Sequence, residues 1–441
     1  MFKKLKREAL GVHLQENKNT EKVATTTMPV PKRIVLFMKQ HIGAPCKPVV
    51  TQGEKIMVGS LVGKAQGLGA DIYSGVSGTV ASIEKIKDAE GRMTEAVIIE
   101  SDGMQTIAPS VIPPVVRDRE SFLEAVSASG LVGLGGAGFP TATKMNGNPE
   151  HPIDTIIINA CECEPYITSD DREILENGDT VMTGIAAAKK YLDIPKVIIA
   201  IERNKPEAMD YLFTLTKGDP SLTVMPLSTR YPQGAEKILI ENTTGREVPV
   251  GGLPADVGIL MMNVTTASTI GKYIATGMPL VRRRITVDGD AVVEAKNVDV
   301  IVGTPASDVL DFCGGCKRAV EKLVSGGPMT GVTLPSVDFP ISKQNNALLA
   351  FSKEKAELPD PEPCIRCGRC VSACPMGLSP IEICESLEAQ DVGQLGVLYA
   401  DACIACGICS YVCPAKRILS PNCAKARAYY MAERSNGNGT K

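Results

Sequence analysis

The apolar positions of the chain form short runs up to about residue 100 and longer strand-like runs after it. Between residues 33 and 100, brief Val- and Ile-rich runs are separated by glycine turns such as Gly53 and Gly78, where we expect positive φ. Many short strands bounded by such turns predict a small all-β unit. Residues 1–30 before it are polar and rich in Lys and Thr, so we expect an extended arm there.

From residue 118 onwards, apolar strands alternate with helical segments. Strands are predicted at 155–159, 196–201 and 222–225, and helices at 118–128, about 171–192 and about 205–216. This alternation predicts a parallel α/β sheet covered on both faces. Residues 281–310 favour a small α+β unit with a turn at Asp288-Gly289. We expect residues 340–358 to be a connector and residues 426–441 to be a disordered tail.

Composition excludes several classes of protein. No apolar run approaches the ~18–20 residues that span a bilayer, and the N-terminus has no secretory signal pattern. The net charge is −3, Trp is absent and aromatic residues make up 4% of the chain. Nucleic acid is therefore not an expected partner, because both positive charge and stacking surfaces are scarce.

Eight of the fifteen cysteines form two runs with the same spacing. Each run follows C-x₂-C-x₂-C-x₃-C-P, the spacing of bacterial two-cluster ferredoxins, in which the fourth cysteine of each run serves the other cluster. We therefore predict two [4Fe-4S] clusters with crossed ligand sets. One set is Cys364, Cys367, Cys370 and Cys413, and the other is Cys403, Cys406, Cys409 and Cys374. A pair of zinc sites is the alternative, although zinc ribbons use two CxxC pairs rather than tandem triplets.

A glycine-rich loop precedes the first predicted strand of the α/β unit. Its members are Gly133, Gly135, Gly136 and Gly138, followed by Phe139 and then Lys144. Successive backbone N–H groups suit a phosphate, and Lys144 carries the charge to neutralise one. The spacing differs from G-x-G-x-x-G after a first strand, so a Rossmann site is not predicted. An ordinary turn is the alternative.

An acidic loop follows the first of these strands. The strand ends at Asn159, and Glu162 and Glu164 come directly after it. Ligands of parallel α/β sheets lie beyond the carboxyl ends of the strands, so these groups suit a ribose, a flavin edge or a nicotinamide amide. A solvated acidic loop is the alternative. For the run Arg282 to Arg284 we favour a solvated strand edge over a phosphate site.

Several of these segments resemble known motifs. The stretch from Gly135 to Lys144 resembles the FMN-binding loop of the flavoprotein of respiratory complex I, and Asn159-x-x-Glu162-x-Glu164-Pro165 resembles its second flavin and NADH motif. The motif order along nearly the whole chain resembles the RnfC family, which belongs to the Rnf complexes, the ion-translocating ferredoxin:NAD oxidoreductases. Further segments that carry the resemblance are 40–45, 231–237, 251–256, 326–329 and both cysteine runs. Cys161, before Glu162, departs from the family pattern; it would touch the flavin edge or fill apolar space.

The resemblance implies a multidomain α/β fold. It places an N-terminal arm at 1–30, a barrel-sandwich hybrid β domain at 31–114 and a complex-I-flavoprotein-like parallel α/β FMN/NADH domain at 115–274. An SLBB β-grasp domain would follow at 275–340, and a two-cluster ferredoxin domain at 355–425. It also implies FMN and NAD(H) contacts by Gly133, Gly135, Gly136, Gly138, Phe139, Lys144, Asn159, Glu162 and Glu164, with Glu164 as the catalytic residue.

The resemblance further implies a place in a membrane complex. The chain would be a peripheral subunit on the cytoplasmic side of the cell membrane, within a hetero-oligomer of six subunits. NAD(H) would meet FMN, and the clusters would exchange electrons with ferredoxin through the complex, coupled to Na⁺ or H⁺ translocation. Two alternatives are an RnfC-like soluble carrier that feeds an amino-acid (proline) reductase, and a docking subunit in which only the clusters work.

Overall fold

The computed structural model describes residues 11–147 and 150–437, which fold into four successive units. The first ten residues of the predicted arm and the last four of the predicted tail lie outside the described residues. The segment before the first unit is mostly irregular and holds one short strand, β1 (Thr26–Thr27). Among the described residues, no helix has both the length and the apolar character required to span a bilayer.

The first unit is the predicted all-β unit. Two small antiparallel sheets, ordered β2-β8-β7-β4 and β3-β5-β6, enclose a core that includes Ile34, Leu36 and Val97. The turn at Gly53 has the expected positive φ of 84°, and a Cβ at Gly78 would collide with the Glu100 carbonyl. The strands are β2 (Arg33–Phe37), β3 (Lys47–Pro48), β4 (Lys55–Ile56), β5 (Leu61–Lys64), β6 (Ile72–Tyr73), β7 (Gly78–Lys87) and β8 (Met93–Ser101).

The second unit is the predicted parallel α/β sheet. Its strands are β9 (Thr155–Ala160), β10 (Lys196–Glu202), β11 (Leu222–Leu227) and β12 (Ile259–Asn263). Its helices are α1 (Arg119–Ala128), α2 (Thr141–Asn146), α3 (Ser169–Tyr191), α4 (Pro206–Leu215), α5 (Glu236–Thr244) and α6 (Val264–Thr276). The strand order is β11-β10-β9-β12, and every pair is parallel. The direction of strand addition therefore reverses at β9, which is the kind of position where α/β sheets bind ligands.

The third unit is a mixed sheet ordered β1-β14-β13-β17-β15-β16. Its further elements are β13 (Arg282–Asp288), β14 (Lys296–Ile301), α7 (Ala306–Phe312), β15 (Lys322–Ser325), β16 (Val332–Thr333), β17 (Ala347–Phe351) and α8 (Lys353–Ala356). The prediction of a connector at 340–358 is wrong, because β17 is entirely buried and lies between β13 and β15. This strand also extends the sheet beyond residue 340, the predicted end of the β-grasp domain.

The prediction of a solvated edge at Arg282 to Arg284 is also wrong. Strand β13 is internal, and Arg283 is 3% exposed. Its guanidinium donates hydrogen bonds to the carbonyls of Asn345 (3.0 Å) and Leu134 (3.1 Å), which joins the third unit to the glycine loop. Burial lowers the pKa of Arg283 to about 10, although nearby carboxylates oppose the shift.

The fourth unit carries the cysteine runs on short helices. These are α9 (Arg369–Ser372), α10 (Pro380–Glu388), α11 (Val392–Val397), α12 (Ile408–Tyr411) and α13 (Leu419–Ser435). Helix α13 packs Cys423, Ala426 and Tyr430 into the core of this unit. The helix therefore corrects the predicted disordered tail at 426–441 for the part of that segment which the structure describes.

Candidate functional site

The glycine loop lies over the point where the strand order reverses. Asn159 near the end of β9 and Asn263 at the end of β12 are register partners in adjacent strands. A Cβ added at Gly135 would come within 3.3 Å of the Asn263 side chain. The loop, the two strand ends and the first turn of α6 thus meet at the carboxyl edge of the sheet.

Local hydrogen bonds give the glycine loop its shape. The Gly133 amide donates to the Phe139 carbonyl (2.8 Å), and the Gly138 amide donates to the Gly133 carbonyl (3.2 Å). Gly136 and Gly138 have positive φ values of 106° and 67°, which glycine adopts without strain. The Gly136 Cα faces open space, with no heavy atom near the position of a Cβ. A ligand can therefore approach the backbone closely at this residue.

A cavity of about 670 Å³ opens beside this loop. Gly135, Gly136, Ala137 and Glu164 form the wall that belongs to the α/β unit. Residues 37–43 and 88–92 of the first unit and residues 325–346 of the third unit supply most of the remaining wall. The volume lies within the range of small-molecule and cofactor sites in proteins. Glycine backbone, a carboxylate and several amide side chains are a donor set that fits a flavin nucleotide.

Glu164 reaches from the acidic loop to the third unit. One carboxylate oxygen accepts a hydrogen bond from the Met329 amide (3.1 Å), and the other accepts one from the Thr330 hydroxyl. Burial raises the pKa of Glu164, and these donors oppose the rise. The carboxyl group is thus held at the cavity wall by two residues of the opposite unit.

The structure places three other predicted site residues away from this cavity. Glu162 accepts hydrogen bonds from the Asp170 amide (2.6 Å) and the Asp171 amide (3.3 Å) at the start of α3. Burial raises the pKa of Glu162 to about 8. The Lys144 ammonium pairs with Glu236 at 2.8 Å, and the Asn159 amide donates to the Gly234 carbonyl at 2.9 Å. Gly133 and Phe139 belong to the glycine loop but do not line the cavity. For all of these residues, contact with a cofactor stays a prediction.

Two parts of the site were missed by sequence reasoning. Asn263 caps α6 through the Thr265 and Thr266 amides and donates to Asp170 at 2.6 Å. A signal was present, because the apolar run 259–262 ends in an asparagine just as β9 does. The other part is loop 39–43 of the first unit, where the Ile42 amide donates to the Gly138 carbonyl at 3.0 Å. Only the tertiary fold reveals this second contact.

The eight thiols of the cysteine runs form two groups that cross between the runs. Cys364, Cys367 and Cys370 line one cavity of about 300 Å³ together with Cys413. The remaining four thiols, Cys403, Cys406, Cys409 and Cys374, line a second, smaller cavity. Four thiolates around one cavity are the donor set that a [4Fe-4S] cubane requires. Among the described residues, no three His, Cys, Asp or Glu side chains converge tightly enough to hold a single ion.

The two ligand loops share one backbone conformation. Arg366 and Ala405 occupy equivalent positions with φ values of 53° and 52°, and Gly368 and Gly407 follow with 73° and 83°. The Arg366 amide donates to the Cys364 sulfur, and the Ala405 amide donates to the Cys403 sulfur, each at 3.4 Å. Such N–H donors stabilise thiolate ligands. The repeat in sequence is therefore also a repeat in local structure.

The two thiol groups differ in their surroundings. The Tyr231 hydroxyl of the α/β unit donates to the Cys406 carbonyl at 2.8 Å. Next to it, Gly407 packs so closely that a Cβ there would lie 3.0 Å from the Met329 carbonyl. In contrast, Cys364 and Cys367 are exposed. The group that includes Cys406 thus faces the flavin-type cavity, and the group that includes Cys364 faces solvent.

Two further cysteine predictions concern packing. Cys161 is fully buried, with its sulfur 3.6 Å from the Ala200 carbonyl, and it belongs to a core cluster beside the sheet. It therefore fills apolar space and does not line the large cavity. Cys384 and Cys423 are buried in the core of the fourth unit with their sulfurs 3.9 Å apart, which agrees with the predicted packing role.

Three family models match consecutive parts of the chain. The RnfC barrel sandwich hybrid domain matches residues 7–104, the Nuo51 FMN-binding domain matches residues 126–272, and a 4Fe-4S dicluster domain matches residues 363–417. These matches confirm the predicted types of the first, second and fourth units.

Curated relatives match the chain over most of its length. The RnfC subunit of the Na⁺-translocating ferredoxin:NAD⁺ oxidoreductase complex of Acetobacterium woodii is 39% identical over 85% of this chain and 86% of the relative. The RnfC subunit of the proton-translocating complex of Clostridium ljungdahlii is 39% identical over 84% of this chain and 82% of the relative. The equivalent subunit of an ion-translocating oxidoreductase complex of Rhodobacter capsulatus is 36% identical over 87% and 75%.

Among solved structures, an NAD⁺-reducing [NiFe]-hydrogenase in the H₂-reduced state contains a similar chain. The TM-score is 0.50 at 18% identity, covering 73% of this chain and 63% of the hydrogenase chain. The air-oxidized form of such a hydrogenase gives the same TM-score. This likeness concerns the fold.

Proposed function

Because this chain belongs to the RnfC family of ion-translocating ferredoxin:NAD⁺ oxidoreductase complexes, we propose that it exchanges electrons between NAD(H) and one-electron carriers. FMN in the large cavity and two [4Fe-4S] clusters in the thiol-lined cavities would be its resident groups. The observation that carries the proposal is the junction at Tyr231 and Met329, which joins the flavin-type cavity to the loop of Cys406. One chain thus holds both kinds of electron carrier side by side.

A bound flavin exchanges a two-electron hydride for single electrons, and cubane clusters carry those electrons one at a time. The protein's part is to bind and orient these groups. The open backbone at Gly136 lets a nucleotide approach the glycine loop. Glu164, fixed by Met329 and Thr330, holds a carboxyl group at the wall where flavin and nicotinamide would meet. We assign Glu164 the task of orienting the nicotinamide against the flavin.

The surroundings of the thiols support an order for the two clusters. The set of Cys374, Cys403, Cys406 and Cys409 would hold the inner cluster, because its loop contacts the flavin-binding unit. The set of Cys364, Cys367, Cys370 and Cys413 would hold the outer cluster, because Cys364 and Cys367 are exposed to a partner. Electrons would pass between the cavity and the partner through the inner cluster first.

The chain would work in a multi-subunit membrane complex. The names of the relatives support this assignment, since each is a subunit of an ion-translocating complex. We further propose a peripheral position on the cytoplasmic side, a complex of six subunits, and ferredoxin as the distant electron partner. The mixed sheet of the third unit, with α7 packed into its core, supports a β-grasp domain of the SLBB type.

The test is electron delivery by the purified, oxygen-protected chain. It should contain FMN and about eight iron atoms, and NADH should reduce first the flavin and then the clusters. A Glu164→Gln variant should keep flavin and iron but lose at least tenfold in the rate of flavin reduction by NADH. Glu124→Gln, on the exposed side of α1, is the matched control. A chain with clusters but without flavin, or with flavin that NADH does not reduce, would contradict the proposal.

A further inference from the structure

Residues 12–25, which we call the N-terminal strap, lie across the acidic loop of the α/β unit. At one end, Val12 and Tyr231 exchange backbone hydrogen bonds of 2.9 Å in each direction. In the middle, the Tyr166 amide of the acidic loop donates to the Glu16 carbonyl at 2.8 Å. The strap therefore contacts the same loop that carries Glu164.

One side chain of the strap enters the acidic loop. The Lys18 ammonium donates hydrogen bonds to the carbonyls of Glu162 (2.8 Å), Glu164 (2.9 Å) and Ile167 (2.5 Å). An ammonium group has three N–H donors, so all of them are used on one turn of the chain. A second lysine, the buried Lys205, donates to the Cys161 carbonyl at 2.7 Å, just before the same turn.

The acidic loop needs such support because its backbone is unusual. Glu162 and Tyr166 both have positive φ, at 49° and 70°, and they bracket Glu164. Non-glycine residues adopt this region rarely and keep it only where surrounding contacts enforce it. The three carbonyls that Lys18 binds belong to this irregular stretch and its immediate continuation, so one ammonium group ties the whole turn together.

We propose that Lys18 is a positioning residue for electron transfer from NADH: it fixes the backbone of Glu164 while Met329 and Thr330 fix its carboxylate. The proposal rests on the proposed function of the cavity. The contacts to the carboxylate alone do not set where it stands, because they belong to a loop of the third unit. The backbone contact from Lys18 adds the second fixed point. The flavin site is therefore complete only when the strap is docked.

The test combines single variants with a double-mutant cycle. Lys18→Met keeps the length and apolar stem of the side chain but removes the three donors, and Lys18→Arg retains a cation. Lys22→Met, on an exposed part of the strap, is the matched control. Each variant is prepared under nitrogen, and its FMN and iron contents, the KM for NADH and the rate of flavin reduction are measured. Lys18→Met is then repeated in the Glu164→Gln background.

We expect Lys18→Met to retain both clusters and to reduce flavin at least tenfold more slowly or with a tenfold higher KM. Lys18→Arg should recover part of this loss, and Lys22→Met should match the native chain. In the Glu164→Gln background, the effect of Lys18→Met should shrink to less than twofold, since residues that act as a unit are not additive. A full tenfold effect in that background would overturn the proposal.

Two other results would be equally decisive. If Lys18→Met and Lys18→Arg both lose their clusters and flavin together, Lys18 stabilises the fold as a whole and the positioning role is wrong. If Lys18→Met matches the native chain in rate and KM, the role is also wrong. The proposed function fails by a different result, namely a native chain whose flavin NADH does not reduce.

Discussion

The crossed grouping of the thiols makes an experiment possible in which two double variants exchange the outcomes that the sequence order suggests. Cys364 and Cys413 come from different runs but line the same cavity. Replacing both with alanine should therefore remove one cluster and leave the other complete. Cys364 and Cys374 come from the same run but line different cavities. Replacing that pair should damage both clusters.

The expected magnitude follows from four thiols at each cavity. The native chain should hold about eight iron atoms, the Cys364→Ala/Cys413→Ala variant about four, and the Cys364→Ala/Cys374→Ala variant far fewer than four. Iron and acid-labile sulfide are counted per chain after anaerobic purification, and EPR of the dithionite-reduced protein shows whether one intact cluster remains. If the second variant keeps about four iron atoms and the first loses nearly all, each run serves its own cluster and the crossed grouping is refuted.

Three further predictions address other parts of the molecule. Arg283→Met should lower stability by about 3 kcal/mol, because it strips a buried cation from two carbonyls; the melting temperature should fall by several degrees, whereas Arg318→Met at an exposed site should leave it unchanged. Although burial opposes it, neighbouring cations hold the pKa of Glu173 below its usual value. This stabilisation is present above the unfolded pKa of about 4 and lost as pH falls below it, so Glu173→Gln should show a shallower acid loss of melting temperature than the native chain. Tyr231→Phe should keep the iron content but slow cluster reduction by NADH severalfold in stopped-flow traces, because the loop of Cys406 loses its anchor; an unchanged rate would remove Tyr231 from the electron path.

Local sequence was sufficient for the elements whose signal is local. The parallel strands are continuous apolar runs between helices, and α1 begins at Asp118, whose side chain accepts from the Ser121 amide. The cysteine spacing also predicted the groups of thiols, because the ligand loops are short and self-contained. In each case the residues that decide the structure are close together in the chain.

The errors arose where distant segments decide the structure. Strand β17 is only five residues long, and it is recognisable by its place between β13 and β15 rather than by its own pattern. Arg283 lies between two other arginines and looks exposed, yet carbonyls from 62 and 149 positions away surround it. Glu162 looked like a cofactor contact, but the start of α3 takes its carboxylate instead. None of these partners can be read from a neighbouring residue.

The pairing of β1 with β14 has a consequence for how the protein is made. Thr26 pairs with Val298, so the beginning of the nascent chain waits for a partner that leaves the ribosome some 270 residues later. At translation rates of about 5–20 residues per second, the wait is roughly 15–55 s. During that time the α/β unit can collapse while its flavin-side loop is still unlatched, and a chaperone or a prosthetic group has access that the finished molecule denies.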